Sequence, residues 1–345
     1  MTRLRYAIAG CGTAGRVHAY HFSRDERVDC VATADPCQEN AEYFREHFGF
    51  RSIYRSLEEL LRHEEVDIVS IASPPAAHLR QLDQALEAHA SVLCEKPLVI
   101  SSEEMQRLRT LIDDTDATVS VMLPRRFYNN TRAVKRAIDA GALGAISRAT
   151  LDLRCHKPDE YYATWRGRKA IAGGGVLLSQ TIHSIDQLVY FFGQPVSVQG
   201  RVRSLRPILE VEDEAEGTIF FESGVEAHVR ASCNATECEW CAQTTVVGAE
   251  GRIELDSADT VCWEVPGMPR PSPEEPEVVP DRYKPTYYGP GHYKVVQDFL
   301  DAVVEGKPTA SPAAAALPAL ATVLAFYRSA AVGTRQVIGN GCQVT

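Results

Sequence analysis

The sequence predicts an α/β fold: a doubly wound parallel sheet in the N-terminal third, followed by an α+β domain with a large open, mainly antiparallel sheet. In residues 1–123, short apolar runs alternate with amphipathic helical stretches, which is typical of a parallel sheet with crossover helices. After residue 124 the alternation stops, and strand candidates follow one another through glycine-containing turns, as in hairpins. We therefore expect two domains, residues 1–123 and 124–345.

The composition is that of an ordinary globular protein, with 45% hydrophobic and 24% charged residues. A formal net charge of -10 argues against a nucleic-acid surface. We find neither the features of a signal peptide nor an apolar run long enough to cross a bilayer. The ten cysteines are scattered, which suits reduced thiols in a cytosolic protein. We expect a cytoplasmic protein with neither a nucleic-acid nor a membrane partner.

One Cys-x-x-Cys pair, Cys238 and Cys241, raises the question of a structural zinc site. On a strand, positions three apart point to opposite faces. Because no second such pair completes a tetrahedral site, we expect no metal.

A glycine-rich turn follows the first apolar run, residues 6–9, and precedes the first helical stretch. In a dinucleotide-binding Rossmann domain the first glycine of this pattern makes the turn, the second admits the pyrophosphate, and the third lets helix and strand pack closely. The N–H groups at the start of the helix then face the phosphates. The residues expected to line this cofactor turn are Gly10, Gly12, Thr13, Ala14 and Gly15.

The second apolar run, residues 28–34, ends at Asp35, twenty residues after Gly15. A carboxylate at this position would hold the ribose hydroxyls of the adenosine and repel a 2′-phosphate. The sequence therefore predicts NAD rather than NADP. The alternative is that Asp35 is a turn residue before Pro36.

Lys96 follows the apolar run 91–94, at what we expect to be the carboxyl end of a strand. Ligands of such sheets bind beyond the carboxyl ends of the strands. A lysine partly desolvated beside a bound cofactor can have a lowered pKa and transfer protons. The alternative is a solvated surface lysine.

In the second domain, a glycine turn at residues 173–175 leads directly into a helical stretch. The turn lets the backbone pass close to another part of the protein. Ser179 and His183 are four residues apart and share a helix face, and Asp186 can reach the imidazole of His183. A histidine oriented by a carboxylate is a candidate acid–base group. The alternative is a histidine that satisfies polar backbone in a core.

A segment dense in aromatic and charged side chains, residues 157–167, precedes this glycine turn. Aromatic faces stack on sugar rings, and arginine or tyrosine heads bond hydroxyl groups. We expect a substrate-binding segment here; rings packing on one another are the alternative. The candidate contacts are Tyr162, Trp165, Arg166, Ser179, Gln180 and His183.

The other expected elements complete both sheets and their covering helices. Strands are expected at residues 52–54, 66–72, 118–123, 146–155, 196–205, 214–222, 225–232, 243–247 and 252–256. Helices are expected at residues 16–24, 39–48, 56–63, 101–113, 130–140, 292–304 and 312–331, with one more opening at His78 and a long loop at residues 266–290.

Five motifs occur in the order in which they occur in the glucose–fructose oxidoreductase / inositol dehydrogenase / MocA (Gfo/Idh/MocA) family: residues 10–15, 73–78, 95–97, 126–127 and 173–186. The chain resembles this family from residue 4 to about residue 333. The resemblance implies NAD(P)-dependent hydride transfer at a ring hydroxyl or ketone of a sugar or cyclitol. It also implies a Rossmann domain and a C-terminal sheet that mediates a homodimer or homotetramer.

In members of this family a lysine, an aspartate and a histidine surround the reacting hydroxyl. By motif these positions are Lys96, Ser179 and His183, so the carboxylate is replaced by a serine that cannot act as a base. Thr181 also stands where a glycine is common. The resemblance further implies that Arg126 contacts substrate and that the cofactor is contacted by Ala72, Ser73, Pro74, His78, Glu95 and Lys96. The serine variant resembles members that act on amino sugars, sugar nucleotides and glycosides.

Three classes of function follow from these residues. The first is an NAD-dependent dehydrogenase or reductase. The second is a glycosidase that retains NAD and acts by transient oxidation. The third is a non-catalytic dinucleotide sensor, against which the presence of both Lys96 and His183 speaks, because sensing needs only the fold.

Overall fold

The computed structural model describes residues 3–236, 240–275 and 291–339 of the chain. The chain divides into two compact units. Unit 1 comprises Met1–Val99, Glu104–Pro124 and Pro276–Ala315, and unit 2 comprises Ile100–Glu103, Arg125–Glu275 and Ala316–Thr345.

The secondary structure alternates in the first third and is rich in strands afterwards. The strands are β1 (Leu4–Ala9), β2 (Val28–Ala34), β3 (Ser52–Tyr54), β4 (Ile68–Ile71), β5 (Ser91–Cys94), β6 (Val119–Val121), β7 (Ile146–Cys155), β8 (Pro195–Arg203), β9 (Glu214–Phe221), β10 (Glu226–Ser232), β11 (Trp240–Gly248), β12 (Arg252–Asp256), β13 (Asp259–Glu264) and β14 (Gln336–Val337). The helices are α1 (Thr13–Phe22), α2 (Gln38–Phe48), α3 (Leu57–His63), α4 (His78–Glu87), α5 (Ser102–Asp113), α6 (Asn129–Asp139), α7 (Asp159–Tyr162), α8 (Lys169–Ala172), α9 (Ile182–Phe192), α10 (His292–Glu305) and α11 (Ala313–Val332).

The sheet of unit 1 has the strand order β3-β2-β1-β4-β5-β6, and every pair is parallel. An order that starts in the middle and runs outward on both sides is the doubly wound arrangement. Strand β1 is inaccessible to solvent from Tyr6 to Ala9, as expected where helices cover both faces of a parallel sheet. The predicted Rossmann sheet is therefore confirmed.

Local signals in the sequence account for several helix ends. The hydroxyl of Ser56 accepts a hydrogen bond from the N–H of Glu59 at 3.1 Å, so Ser56 caps α3 as expected. Gly49 ends α2 with a φ of +77°, in the left-handed region that favours glycine.

Helix α10 belongs to unit 1, although the expected boundary at residue 123 placed it in the second domain. The ring centre of Phe299 lies 6.2 Å from that of Phe22 on α1. Arg27 donates to Gln297 at 2.8 Å and to Asp301 at 2.6 Å. The chain thus returns to its first unit, because the apolar face of α10 is buried there and not where chain order would place it.

Unit 2 contains an eight-stranded sheet of order β13-β12-β11-β7-β10-β9-β8-β14. All pairs are antiparallel except β10 with β7, so the mainly antiparallel sheet is confirmed. Strands β13 and β14 were not expected, because both are edge strands whose apolar residues Val261 and Val337 are exposed.

One face of this sheet carries a row of alternating charges. Arg201, Glu216, Arg230 and Asp152 are neighbours across β8, β9, β10 and β7. Arg201 and Glu216 form an ion pair at 2.9 Å. On β10 the residues that flank Arg230, such as Val229, are buried. One face of the sheet therefore packs on the core, and the face that carries Arg230 is polar.

Helix α11 is long and apolar enough to cross a membrane by length and composition, contrary to our expectation from the sequence. About 61% of its apolar stretch is buried within the protein, as in a core helix. Its Phe326 is inaccessible to solvent and sits where Gly200 and Gly217 lack side chains. A Cβ added at these glycines would come within 2.4 Å and 2.5 Å of the ring, respectively.

Candidate active site

In the glycine turn of unit 1, Gly10 and Gly15 pack tightly against backbone, whereas the space beside Gly12 is open. Gly10 has a φ of +97°, and a Cβ there would lie 2.5 Å from the backbone of Ala72 and Ser73. A Cβ on Gly15 would lie 2.2 Å from the carbonyl oxygen of Gly10. Within the described ranges, and apart from its two chain neighbours, no residue has an atom within 4 Å of a Cβ added at Gly12, which is the N-cap of α1. The turn thus leaves space for a pyrophosphate at a helix N-terminus.

Asp35 stands beside this turn at the end of β2. Its Oδ2 accepts a hydrogen bond from the N–H of Cys11 at 2.7 Å, and its Oδ1 accepts one from the N–H of Cys37 at 2.8 Å. These bonds hold the carboxylate at the mouth of the turn, where a ribose carboxylate is required. They also give Asp35 the turn-stabilising role that was the alternative, and its role at the ribose stays a prediction.

Both ring nitrogens of His78 contact backbone carbonyl oxygens within unit 1. Its Nδ1 lies 2.8 Å from the carbonyl oxygen of Pro97, and its Nε2 lies 2.8 Å from that of Ser73. The residue is buried, and burial lowers its pKa. The ring therefore links the segments that follow β4 and β5, and the contact of His78 with the cofactor stays a prediction.

Glu95 ends a buried chain of polar groups that the sequence did not reveal. His18 of α1 lies with Nε2 3.2 Å from Oε1 of Glu95 and Nδ1 3.1 Å from the hydroxyl of Ser70. Burial raises the pKa of Glu95, but the hydrogen bond and charge of His18 and the charge of Lys96 lower it to about 2. The Glu95 carboxylate and His18 thus link α1 to the residue that follows β5.

Lys96 is half-buried at the carboxyl end of β5. Its backbone N–H donates to Oε2 of Glu95 at 3.2 Å, and the N–H of Glu95 donates to the carbonyl of Ile71 on the neighbouring strand at 2.8 Å. The side chain of Glu95 thus fixes the backbone from which Lys96 projects. Glu95 thus has a supporting role within unit 1, and its contact with the cofactor stays a prediction.

In unit 2 the helix that carries His183 begins with a π turn, Leu177–Thr181, before α9. The hydroxyl of Thr181 donates to the carbonyl oxygen of Val176 at 2.9 Å, five residues back. Single π turns occur often at functional sites. The buried hydroxyl of Thr181 thus stabilises the turn that contains Ser179.

The glycine turn before this helix passes close to the protein's own groups. A Cβ on Gly174 would lie 1.9 Å from the Tyr327 hydroxyl, and a Cβ on Gly175 would lie 1.7 Å from the carbonyl oxygen of Glu212. The interpretation of a close backbone approach is correct, and the approached groups are Tyr327 and Glu212.

Asp186 pairs with Arg126. The Nε of Arg126 donates to Oδ2 of Asp186 at 2.8 Å, and Nη2 donates to Oδ1 at 2.6 Å. Burial raises the pKa of Asp186, and the guanidinium offsets part of that rise. Each carboxylate oxygen thus accepts from the guanidinium, and the role of Asp186 in orienting His183 stays a prediction. The pair also holds Arg126, whose role as a substrate contact stays a prediction.

The segment 157–167 presents Tyr161 rather than Tyr162. Tyr162 is only 4% exposed and is covered by the Arg206 guanidinium, 4.6 Å from its ring centre. Tyr161 is partly exposed and accepts a hydrogen bond from Nε2 of Gln180 at 3.2 Å. The short helix α7 turns Tyr162 inward and leaves Tyr161 more accessible, and the substrate contact at Tyr162 stays a prediction.

Trp165, Arg166 and Gln180 lie in one group with Tyr161. The guanidinium carbon of Arg166 is 4.4 Å from the ring centre of Trp165 and 5.0 Å from that of Tyr161. This group offers aromatic faces, a cation and an amide, which suits a polyhydroxylated ring. Their roles in substrate binding stay predictions.

In the described part of the chain, no group of three or more His, Cys, Asp or Glu residues could hold a metal. Cys238 of the Cys-x-x-Cys pair lies outside the described residues. The eight described cysteines are free thiols, and the sulfur atoms of Cys155 and Cys233 lie 3.6 Å apart.

Comparison with known proteins gives concordant results for both units. Residues 4–123 match the model of an oxidoreductase family with an NAD-binding Rossmann fold, and residues 131–254 match that of a GFO/IDH/MocA C-terminal domain. Inositol 2-dehydrogenase of Rhizobium meliloti is 26% identical over 95% of this chain and 97% of its own length.

Two solved structures share the fold over nearly all of the chain. GenD2 from gentamicin A biosynthesis, in complex with NAD, is 26% identical with a TM-score of 0.83 and covers 99% of this chain and 97% of its own. The WlbA dehydrogenase from Bordetella pertussis, in complex with NADH and UDP-GlcNAcA, is 22% identical with a TM-score of 0.86, over 98% of this chain and 99% of its own.

Proposed function

Because this chain belongs to the Gfo/Idh/MocA oxidoreductase family, we propose that it is an NAD-dependent dehydrogenase or ketoreductase. Its substrate is a sugar, amino sugar, glycoside or cyclitol, and the reacting group is a ring hydroxyl or ring ketone. Relatives named for inositol, a D-glucoside and gentamicin biosynthesis support this class. The observation that carries the proposal is the open glycine turn beside Asp35, in a chain that also retains Lys96 and His183.

The residues of unit 1 fit NAD. The phosphates would lie against Gly12 and the N–H groups of Thr13 and Ala14, and the adenosine ribose would lie at Asp35. When bound, NAD supplies the carbon that accepts or donates a hydride. Lys96, at the carboxyl end of β5, is on the side of the sheet where such ligands bind.

The protein's own chemistry is proton transfer at the reacting oxygen. In oxidation, Lys96 or His183 accepts the hydroxyl proton, and in reduction the same group returns it. Ser179 orients a substrate hydroxyl by hydrogen bonding, since its side chain cannot serve as a base. Tyr161, Trp165, Arg166 and Gln180 bind the ring.

One assay separates the three candidate classes. The purified protein is mixed with NAD or NADH and a panel of cyclitols, amino sugars, sugar nucleotides and glycosides. Nicotinamide absorbance and products are followed together. A stoichiometric absorbance change with an oxidised or reduced sugar supports the proposal. Glycoside cleavage without net redox change identifies the NAD-retaining glycosidase, and binding without any reaction identifies a sensor.

Asp35→Ser is expected to weaken NAD binding about tenfold and to narrow the preference over NADP. The reason is that a hydrogen bond to a charged group contributes about 1.5–3 kcal/mol and the 2′-phosphate is no longer repelled. Parallel titrations of both cofactors check this. Asp29→Ser, on the same strand, is the matched control and should behave as wild type. NADP binding as tight as NAD binding in the wild type would contradict the assignment.

We further propose a cytoplasmic homodimer or homotetramer formed through the sheet of unit 2. The alternating charges of Arg201, Glu216, Arg230 and Asp152 can pair with a second copy in the opposite orientation. The eight free thiols suit a reducing compartment. Light scattering of the purified protein tests the assembly.

A further inference from the structure

Glu212 accepts hydrogen bonds from the backbone N–H groups at the start of the helix that carries His183. Its Oε2 accepts from the N–H of Gly175 at 2.7 Å, and its Oε1 accepts from the N–H of Leu177 at 3.0 Å. Its own carbonyl accepts from the N–H of Val176 at 2.9 Å. Three consecutive N–H groups therefore end on one residue that is only 7% exposed.

The first amides of a helix have no partners within the helix and are usually satisfied by a nearby side chain. Here the acceptor lies 35 residues beyond Leu177, just before β9. A carboxylate at this position also complements the positive end of the helix dipole. The location of the helix start is thus set by Glu212, and not by a local cap.

Tyr327 of α11 holds the carboxylate in place. Its hydroxyl donates to Oε1 of Glu212 at 2.9 Å. The same hydroxyl occupies the space that a side chain at position 174 would need. The glycine turn, Glu212 and Tyr327 therefore form one packed unit behind the helix start.

We propose that Glu212, held by Tyr327, is a positioning residue for Ser179 and His183. The inference rests on the proposed function, in which His183 transfers a proton. Ser179 follows the three N–H groups that Glu212 binds, those of residues 175–177. The N–H of Ser179 donates to the carbonyl of Gly175 at 2.8 Å. A shift of the glycine turn is therefore transmitted directly to Ser179 and along the helix to His183.

Glu212→Gln tests this inference. The glutamine keeps the size but offers one oxygen, so an NH2 group must face an N–H of Gly175 or Leu177. We expect kcat to fall about 10–100-fold, as for a misplacement of about 1 Å, with the Kd for NAD within about twofold of wild type. The pH–rate profile should also change. Tyr327→Phe should act in the same direction but more weakly.

Two controls separate positioning from loss of stability. Glu222→Gln alters an exposed glutamate just beyond β9 and should leave kcat unchanged. Val246→Ala removes buried volume from β11 and should lower the Tm without changing the pH–rate profile. If Glu212→Gln behaves as Val246→Ala does, its role is merely structural and the proposal is overturned.

Two further readouts do not depend on turnover. Hydrogen exchange in the peptide that spans residues 173–186 should be faster in Glu212→Gln, and the NMR signals of the His183 ring should move. Neither should change in Glu222→Gln. If wild type shows no reaction with any sugar, the proposed function fails, while these readouts still decide the positioning. An unchanged ring signal or unchanged exchange in Glu212→Gln overturns the inference.

Discussion

Lys96→Ala is expected to lower kcat by about 10²–10⁴-fold, the usual effect of removing a positioned proton donor or acceptor. The Kd for NAD should stay close to that of wild type, because the binding contacts that we propose are the glycine turn and Asp35. Steady-state turnover on the substrate found in the panel and a cofactor titration measure the two quantities. The backbone at this position is held by Glu95, so we expect the variant to fold normally.

A second variant distinguishes proton transfer from charge. Lys96→Arg keeps a cation, but a guanidinium stays protonated at all working pH values. It should therefore lose nearly as much activity as the alanine variant. Lys307→Ala, on the surface of unit 1, is the matched control. If Lys96→Ala turns over like wild type, Lys96 is a surface charge and does not transfer a proton.

His183→Asn should leave the fold and NAD affinity unchanged and lower kcat by about 10²–10⁴-fold. Asparagine keeps roughly the size and one hydrogen bond of histidine but does not titrate. One limb of the pH–rate profile should therefore disappear, because histidine is the side chain that normally titrates between pH 5 and 8. Turnover across this pH range, with the Tm measured alongside, checks the expectation.

The opposite pattern would identify a structural histidine. In that case His183→Asn would lower the Tm and retain nearly normal turnover with both limbs of the profile. His228→Asn, on an exposed face of β10, controls for the general effect of replacing a histidine. It should match wild type in Tm and in turnover.

Local patterns predicted the strands well. The ends of β2, β5 and β7 agree with the expected residues 28–34, 91–94 and 146–155, because each is an apolar or alternating run ended by turn or charged residues. The glycine turns and Lys96 could also be located, since their positions follow from the ends of strands and helices.

Partners from distant segments could not be predicted. The pairs Arg126–Asp186 and His18–Glu95 join residues 60 and 77 positions apart, and nothing in either local pattern specifies the partner. Tyr161 and Tyr162 differ by one position in a four-residue helix, which is too short for periodicity to tell the exposed ring from the buried one. The sequence of α10 indicates an apolar face, but it does not indicate which sheet this face packs against.

The return of the chain to both units has a consequence for biosynthesis. The ribosome delivers the parallel sheet first, yet its packing partner α10 emerges only after strands β7 to β13 of unit 2. Tyr327, which secures the start of the helix bearing His183, emerges later still. Contacts of such long sequence separation form slowly. A chain released before its last helices has therefore completed neither unit, so the two halves cannot be produced as contiguous fragments by cutting near residue 123.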